Sequence, residues 1–308
     1  MKKGCLITII IVLLLAISIV GWLYYNIKVP VGKSSENKFF EVKENESTFE
    51  IANNLKEKGF IRNPTVFAYL VKIKGVSLYP GLYYLRENMN LDEIVKPIST
   101  RDVQEYKITI PEGWRVTQID EYLASKKIFS SGEFAKAAEG KEGYLFPDTY
   151  RVPIDINPSE LVKKMSDNFS ERTKDYKLSN SDIIIASIVE REAKKNEDRA
   201  KIAGVYLNRL DKNMYLGADP TIQYALGNWD PLSLADLKIN SLYNTYINKG
   251  LPPTPICNPG LASIKSVLSP EKNGWFYFFN LKDGTAIFSH DAAEHDLNKA
   301  KYHDQIAN

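Results

Sequence analysis

Between Lys3 and Lys28 the chain carries no charged residue, and Cys5–Tyr25 is almost wholly apolar. About 20 such residues span the hydrocarbon core of a bilayer as one helix. A soluble fold would have to bury this run on every side. It therefore divides the chain into a membrane segment and the 280 residues that follow Lys28. Trp22, Tyr24 and Tyr25 stand at its end, where interfacial aromatics sit. Lys2 and Lys3 favour a cytoplasmic N-terminus, which puts the rest of the chain outside the cytoplasmic membrane. The alternative, a cleaved signal peptide, has a shorter apolar region and a small-residue cleavage site, and no A-x-A pattern is evident here. The expected order is a stub at 1–5, a span at 6–27 and a polar linker at 28–40.

The chain has 40 Lys+Arg against 38 Asp+Glu. Three of those cations, Lys2, Lys3 and Lys28, flank the span, which leaves the remainder at net −1. No clustered basic surface remains for nucleic-acid binding. With 44% hydrophobic and 25% charged residues, bulk disorder and collagen are excluded, and the length suits about two domains. Only Cys257 lies beyond the span, so no internal disulfide holds the exported part. As a nucleophile Cys257 would need His290, His295 or His303; a small loop residue is the simpler reading. The His spacings match no zinc motif, and neither a metal nor another cofactor is expected.

The chain then repeats itself. Val42, Glu44, Ile51, Leu55, Phe60 and Ile61 recur 68 residues later as Ile110, Glu112, Ile119, Leu123, Ile128 and Phe129. Pro80, Tyr83, Leu85, Ile94 and Val95 recur 67 residues later as Pro147, Tyr150, Val152, Leu161 and Val162. A fixed offset marks repeated structural units. Each copy reads as a small α+β module: a strand, two helices, a strand-like aromatic run and a closing helix. In the first copy Ser47 and Glu50 form a capping box, and Gly59 stops the helix Thr48–Lys58. Such modules serve either as scaffold or as wall-glycan binders, and the pattern alone leaves both open.

Chemistry concentrates further on. Ser179 suits an N-cap with Asp182 three residues later. The helix continues through Ile183, Ile184, Ile185, Ala186, Ile188 and Val189, apolar all round and so buried. Glu190 follows directly. Loss of hydration there raises a carboxyl pKa, the setting of a general acid. The plain alternative is a solvated Glu190 in a charged patch with Arg191 and Glu192. Glu192, two residues on, faces away and suits a surface role. In Ala218–Gly227, Asp219 reads as an N-cap, Pro220 as the first helical residue and Gly227 as the stop. The Pro-, Asn- and Tyr-rich stretch Tyr243–Gly260 reads as a binding loop or a packed connection. Asn258-Pro259 opens a helix to Leu268, Asp283-Gly284 turns a hairpin, and a last helix runs from Asp291 to Asn308.

Taken in order, Glu142–Tyr150 (EGYLFPDTY), Ala186–Glu192 (ASIVERE), Val205–Leu210 (VYLNRL), Ala218–Gly227 (ADPTIQYALG), Tyr243–Tyr246 (YNTY), Gly250–Gly260 (GLPPTPICNPG) and the Phe288…His295 tail carry a resemblance. The chain resembles the endolytic murein transglycosylases, the YceG-like family of bacterial inner-membrane enzymes, over nearly its whole length. The resemblance implies a mixed α+β fold with a LysM-like peptidoglycan-binding module at 41–103. A catalytic domain at 104–308 would include the second copy at 104–165. It implies cleavage of nascent glycan strands between N-acetylmuramic acid and N-acetylglucosamine, with 1,6-anhydro ends. That activity terminates elongation near cell-wall synthases. It places the acid at the first Glu of the V-E-R-E motif, Glu190. Substrate contacts fall by motif position on Asp219, Thr221, Gln223, Tyr224, Tyr243, Asn244 and Thr245. An acid follows His295 here, which puts a substrate role for that residue in doubt.

A single acid fits lyase chemistry. Ordinary glycosidases need two carboxylates. A lytic transglycosylase replaces water with the sugar's own 6-hydroxyl, so one group can give a proton and then take one. A hydrolytic muramidase using Glu190 with Asp219, and a non-enzymatic wall-binding scaffold, are the alternatives.

Overall fold

A computed structural model describes residues 2–102 and 104–306, with side chains from Thr8 onward. Met1 and the side chains of the stub expected at 1–5 lie outside the described residues, as do the last two residues of the helix expected to reach Asn308. The chain divides into a unit of Met1–Ile108 with Tyr150–Asp155 and a unit of Thr109–Thr149 with Ile156–Asn308.

The first unit begins with α1 (Lys2–Lys28), whose stretch Thr8–Lys28 is long and apolar enough to cross a membrane. Strand β1 (Lys38–Val42) pairs antiparallel with β2 (Gly81–Leu85), Phe40 opposite Tyr83. Between them lie α2 (Thr48–Glu57) and α3 (Pro64–Lys74), and α4 (Leu91–Thr100) follows. The expected caps form. Ser47 Oγ accepts from the Glu50 N–H at 3.2 Å while the Glu50 carboxylate accepts from the Ser47 N–H at 2.7 Å. Gly75 ends α3 at φ 62°, a conformation that costs glycine little. The inward faces Ile51, Ala52 and Leu55 of α2 and Val66, Phe67 and Val71 of α3 join Phe40, Tyr83 and Leu85 in one core. Each large side chain so buried contributes about 1.5–3 kcal/mol of transfer free energy. The segment expected as a linker is tied down instead. Gly32 N–H donates to Glu87 O at 2.9 Å, and Asn88 N–H donates to Ser34 O at 3.2 Å. Strand β3 (Glu105–Thr109) pairs with β4 (Thr149–Pro153) in a second small sheet.

In the second unit, α5 (Val116–Ser125), α6 (Glu133–Ala137) and α7 (Pro158–Thr173) complete a second β-α-α-β-α run. Next come α8 (Asn180–Glu192), α9 (Arg199–Asp211), α10 (Asp219–Leu226), α11 (Leu261–Leu268), the hairpin of β5 (Tyr277–Asn280) and β6 (Ala286–Ser289), and α12 (Ala292–Lys301). The Ser179 capping box forms, and every residue from Ile183 to Val189 in α8 is buried. Around α8 pack α9, α10 and α11.

Two expected helix starts shift, for a shared reason: the capping side chain is used elsewhere. Asp219 is the first residue of α10 rather than its cap, because its carboxylate accepts from the Tyr246 hydroxyl at 2.5 Å. The helix expected from Asn258 begins at Leu261. Asn258 is fully buried and joins loops instead: Oδ1 accepts from the Gly143 and Leu145 N–H groups, and Nδ2 donates to Trp114 O.

Candidate active site

The site lies at the C-terminal end of α8. The loop Tyr243–Gly260 crosses that helix where its side chains are small. Ile256 N–H donates to Ser187 Oγ at 3.0 Å, and Cys257 Sγ donates to Ser187 O at 3.3 Å. Cys257 is thereby buried, with its thiol pushed up by lost hydration, so it is no nucleophile. The crossing delivers Gly260, whose N–H donates to Glu190 Oε2 at 2.9 Å.

Glu190 therefore meets the protein, not open solvent. Its other oxygen accepts from Arg199 Nη2 at 2.9 Å, and only 6% of its side chain is exposed. Both oxygens already accept from protein donors. Glu112 stands close by. A Cβ on Gly260 would sit 1.9 Å from the Glu112 carboxylate, so only glycine fits there. Burial first, and Glu190 second, raise the Glu112 pKa.

Glu192 has the opposite surroundings. Its carboxyl lines a polar cleft of about 550 Å³ shared with Arg191, Tyr206, Arg209, Asp219, Gln223, Tyr246, Asn280 and His295. Tyr206, from the facing turn of α9, donates its hydroxyl at 2.8 Å. Lost hydration pushes the Glu192 pKa up to about 7; the Asp219 charge adds to the rise, and the Tyr206 hydrogen bond opposes it. The surface role expected for Glu192 is thus overturned. A carboxyl that titrates near neutral pH in an open cleft can both give and accept a proton.

The expected substrate residues separate into two groups. Asp219 and Gln223 line the cleft. Thr221, Asn244 and Thr245 are buried and hold the loop. Thr245 Oγ1 accepts from the Ala218 N–H at 2.9 Å and lies 3.0 Å from Thr221 Oγ1, while Asn244 Nδ2 donates to Leu237 O and Ile239 O. Tyr224 and Tyr243 pack ring against ring at 4.9 Å and border a second buried acid, Glu142. Burial pushes Glu142 up to about 7, against the opposing Val116 N–H and Arg115.

Sequence reasoning missed Tyr206, Arg209, Tyr246 and Asn280. Tyr206 and Arg209 lie within the VYLNRL motif, and three-residue spacing on a helix puts them side by side. His295, held in doubt, borders the cleft between Tyr277 and Phe279, with ring centroids 5.3 and 5.5 Å away. Burial lowers its pKa, which keeps the imidazole neutral. Among the described residues no group of three or more His, Cys, Asp or Glu side chains could hold a metal ion.

The family model for YceG-like proteins matches residues 40–301, an interval that takes in every residue of this site. The chain belongs to the YceG-like family. Among its relatives, the endolytic murein transglycosylase of Bacillus subtilis is 32% identical, over 89% of this chain and 87% of that protein. The endolytic murein transglycosylase of Streptococcus pneumoniae is 29% identical over 85% of this chain and 57% of its own length. A crystal structure of a yceG-like protein from Listeria monocytogenes shares the fold at a TM-score of 0.55. It is 32% identical, covering 86% of this family member and all of that chain.

Proposed function

We propose that this chain is an endolytic peptidoglycan lytic transglycosylase. It is anchored in the bacterial cell membrane by α1, with Lys2 and Lys3 on the cytoplasmic side and the remainder outside. The name carried by its full-length Bacillus relative supports the activity. The observation that carries the mechanism is the Glu192 carboxyl, raised to about 7 inside a polar cleft.

Protonated Glu192 gives its proton to the glycosidic oxygen between N-acetylmuramic acid and N-acetylglucosamine. The C1–O bond breaks, and positive charge develops on the muramyl C1 and ring oxygen. The Glu192 carboxylate then takes the proton from the 6-hydroxyl, and O6 bonds to C1 to close the 1,6-anhydro ring. No water enters. Asp219, Gln223 and Tyr246 line the cleft in reach of the sugar substituents. The V-E-R-E resemblance favours Glu190 as the acid. The geometry favours Glu192, because both Glu190 oxygens are occupied by Arg199 and Gly260. The two β-α-α-β-α runs act as LysM-like wall-glycan modules, and cleavage terminates strand elongation beside the synthases.

The test is cleavage of uncrosslinked glycan strands by Glu192→Gln and Glu190→Gln. Glu192→Gln keeps the Tyr206 contact and loses roughly 10²–10⁴-fold in rate. A folded Glu190→Gln with that loss, beside an active Glu192→Gln, would move the acid to Glu190. A hydrolytic reading pairs Glu192 with Asp219, which borders the same cleft. Mass spectrometry separates the two chemistries: lyase ends are one water lighter, and reducible ends would sink the lyase.

A further inference from the structure

The end of α1 does not simply lead into the first unit; it is clamped to it. Arg62, just before α3, donates through Nη1 to Val29 O and through Nη2 to Pro30 O, both at 2.5 Å. Its guanidinium also lies over the Tyr25 ring at 4.5 Å, a cation–π contact. At the other end of α3, Lys74 reaches Asp92 Oδ1 at 2.7 Å, and Lys28 reaches Oδ2 of the same carboxylate at 2.5 Å. Ile27 packs into the core of the unit. Both ends of α3 are thus tied to the same few residues, 25–30.

That stretch has a fixed height relative to a bilayer. Thr8–Lys28 is 21 residues. At ~1.5 Å per residue it spans about 30 Å, the thickness of the hydrocarbon core. Lys28 therefore marks the outer interface. A helix tied at both ends to that level lies along the membrane surface.

The exposed face of α3 matches such a position. Its inner face, Val66, Phe67 and Val71, fills the core. Its outer face carries Tyr69, 61% exposed, and Ile73, 80% exposed, one turn apart, with exposed Lys72 beside them. An aromatic with a polar tip, an aliphatic side chain and a lysine able to snorkel make up an interfacial set.

We infer that the outer face of α3 is seated in the phospholipid headgroup layer, with Ile73 and Tyr69 at the acyl boundary and Lys72 toward the phosphates. The first unit then rides on the bilayer as a collar around the span, not as a module swinging on a tether. The inference rests on the reading of α1 as a membrane span.

The experiment uses the full chain with Cys5→Ser, in nanodiscs of phosphatidylethanolamine and phosphatidylglycerol, with the buried Cys257 left in place. A bimane label goes on Ile73→Cys, on Ile17→Cys within the span, or on Thr100→Cys at the far end of α4 from Asp92. Nitroxide lipids quench at either the headgroup or the mid-chain. Headgroup quenching at position 73 is expected to exceed that at position 100 by threefold or more, with mid-chain quenching strongest at position 17. Equal quenching at 73 and 100, with position 17 still quenched, overturns the seated face and leaves the anchor standing. No quenching at position 17 removes the anchor itself, and the collar with it.

Discussion

The two β-α-α-β-α runs differ most at the turn that joins the first strand to the first helix. Residues 42–47 and 110–115 stand at the repeat offset, and both turns use a left-handed residue at the same place: Asn45 at φ 66° and Gly113 at φ 75°. In the first run Glu44 is exposed and pairs with Arg151 at 2.9 Å. In the second, Glu112 lies against Gly260 beside Glu190. Ser47 caps its own helix with its side chain. Arg115, its counterpart, instead sends its guanidinium to Gly227 O and over Trp229, and Glu142 receives the adjacent Val116 N–H. The same backbone turn is self-sufficient in one run and depends on distant loops in the other. Handing the cap to Glu142 frees the second turn to carry Glu112 and Gly113 to the end of α8.

Glu142 is where this comparison breaks most easily. Glu142→Ala leaves the buried Val116 N–H and Asn258 amide short of an acceptor and should cost roughly 2–4 kcal/mol, at about 1–3 per orphaned donor. Urea unfolding followed by hydrogen exchange in α5 checks this, with α2 as the internal control. The same carboxyl imposes a pH dependence. Glu142 and Glu192 titrate near 7 when folded against 4.5 in the free side chain, so the folded state holds more protons between those values. Their contribution is full below pH 4.5 and is lost as pH rises through about 7. Glu142→Gln should therefore flatten part of the fall in urea midpoint between pH 5 and 7.5.

Gly113→Ala comes next. Its Cβ would meet Arg191 Nη1 at 3.4 Å and Glu190 Cγ at 3.5 Å, ordinary contacts, so the cost is that of the left-handed backbone, about 1–2 kcal/mol. Because that turn packs on α8, strand cleavage should fall with it, and rate together with thermal midpoint reads both effects. Ser47→Ala removes a local cap and should cost about 1 kcal/mol with cleavage per folded molecule unchanged. The smallest effect is expected from Asn45→Gly, within about 0.5 kcal/mol by thermal melting, since glycine accepts the same dihedrals. A loss of cleavage in Ser47→Ala as large as in Gly113→Ala would erase the distinction between the runs.

Much of the fold was legible because its signals act over a few residues. The Ser47, Asn90, Asn157 and Ser179 capping boxes, the Gly75 and Gly227 stops and the charge-free span depend on spacing along the chain. The site was legible only in outline. A two-residue separation on a helix says that Glu190 and Glu192 face apart, but not which of them the fold leaves in a cleft. Thr221, Asn244 and Thr245 look like polar candidates in sequence, and burial commits them to the loop.

By itself, the sequence determined the span, the two runs and the placement of two acids at the end of an apolar helix. Dihedral preference, capping and hydrophobic period are properties of neighbouring residues. Only the tertiary structure decided that Arg199 and Gly260 would take Glu190 while Tyr206 and an aqueous cleft would receive Glu192. The physical reason is that a carboxyl's chemistry follows its hydration and its partners, and both are delivered by residues far away in the chain.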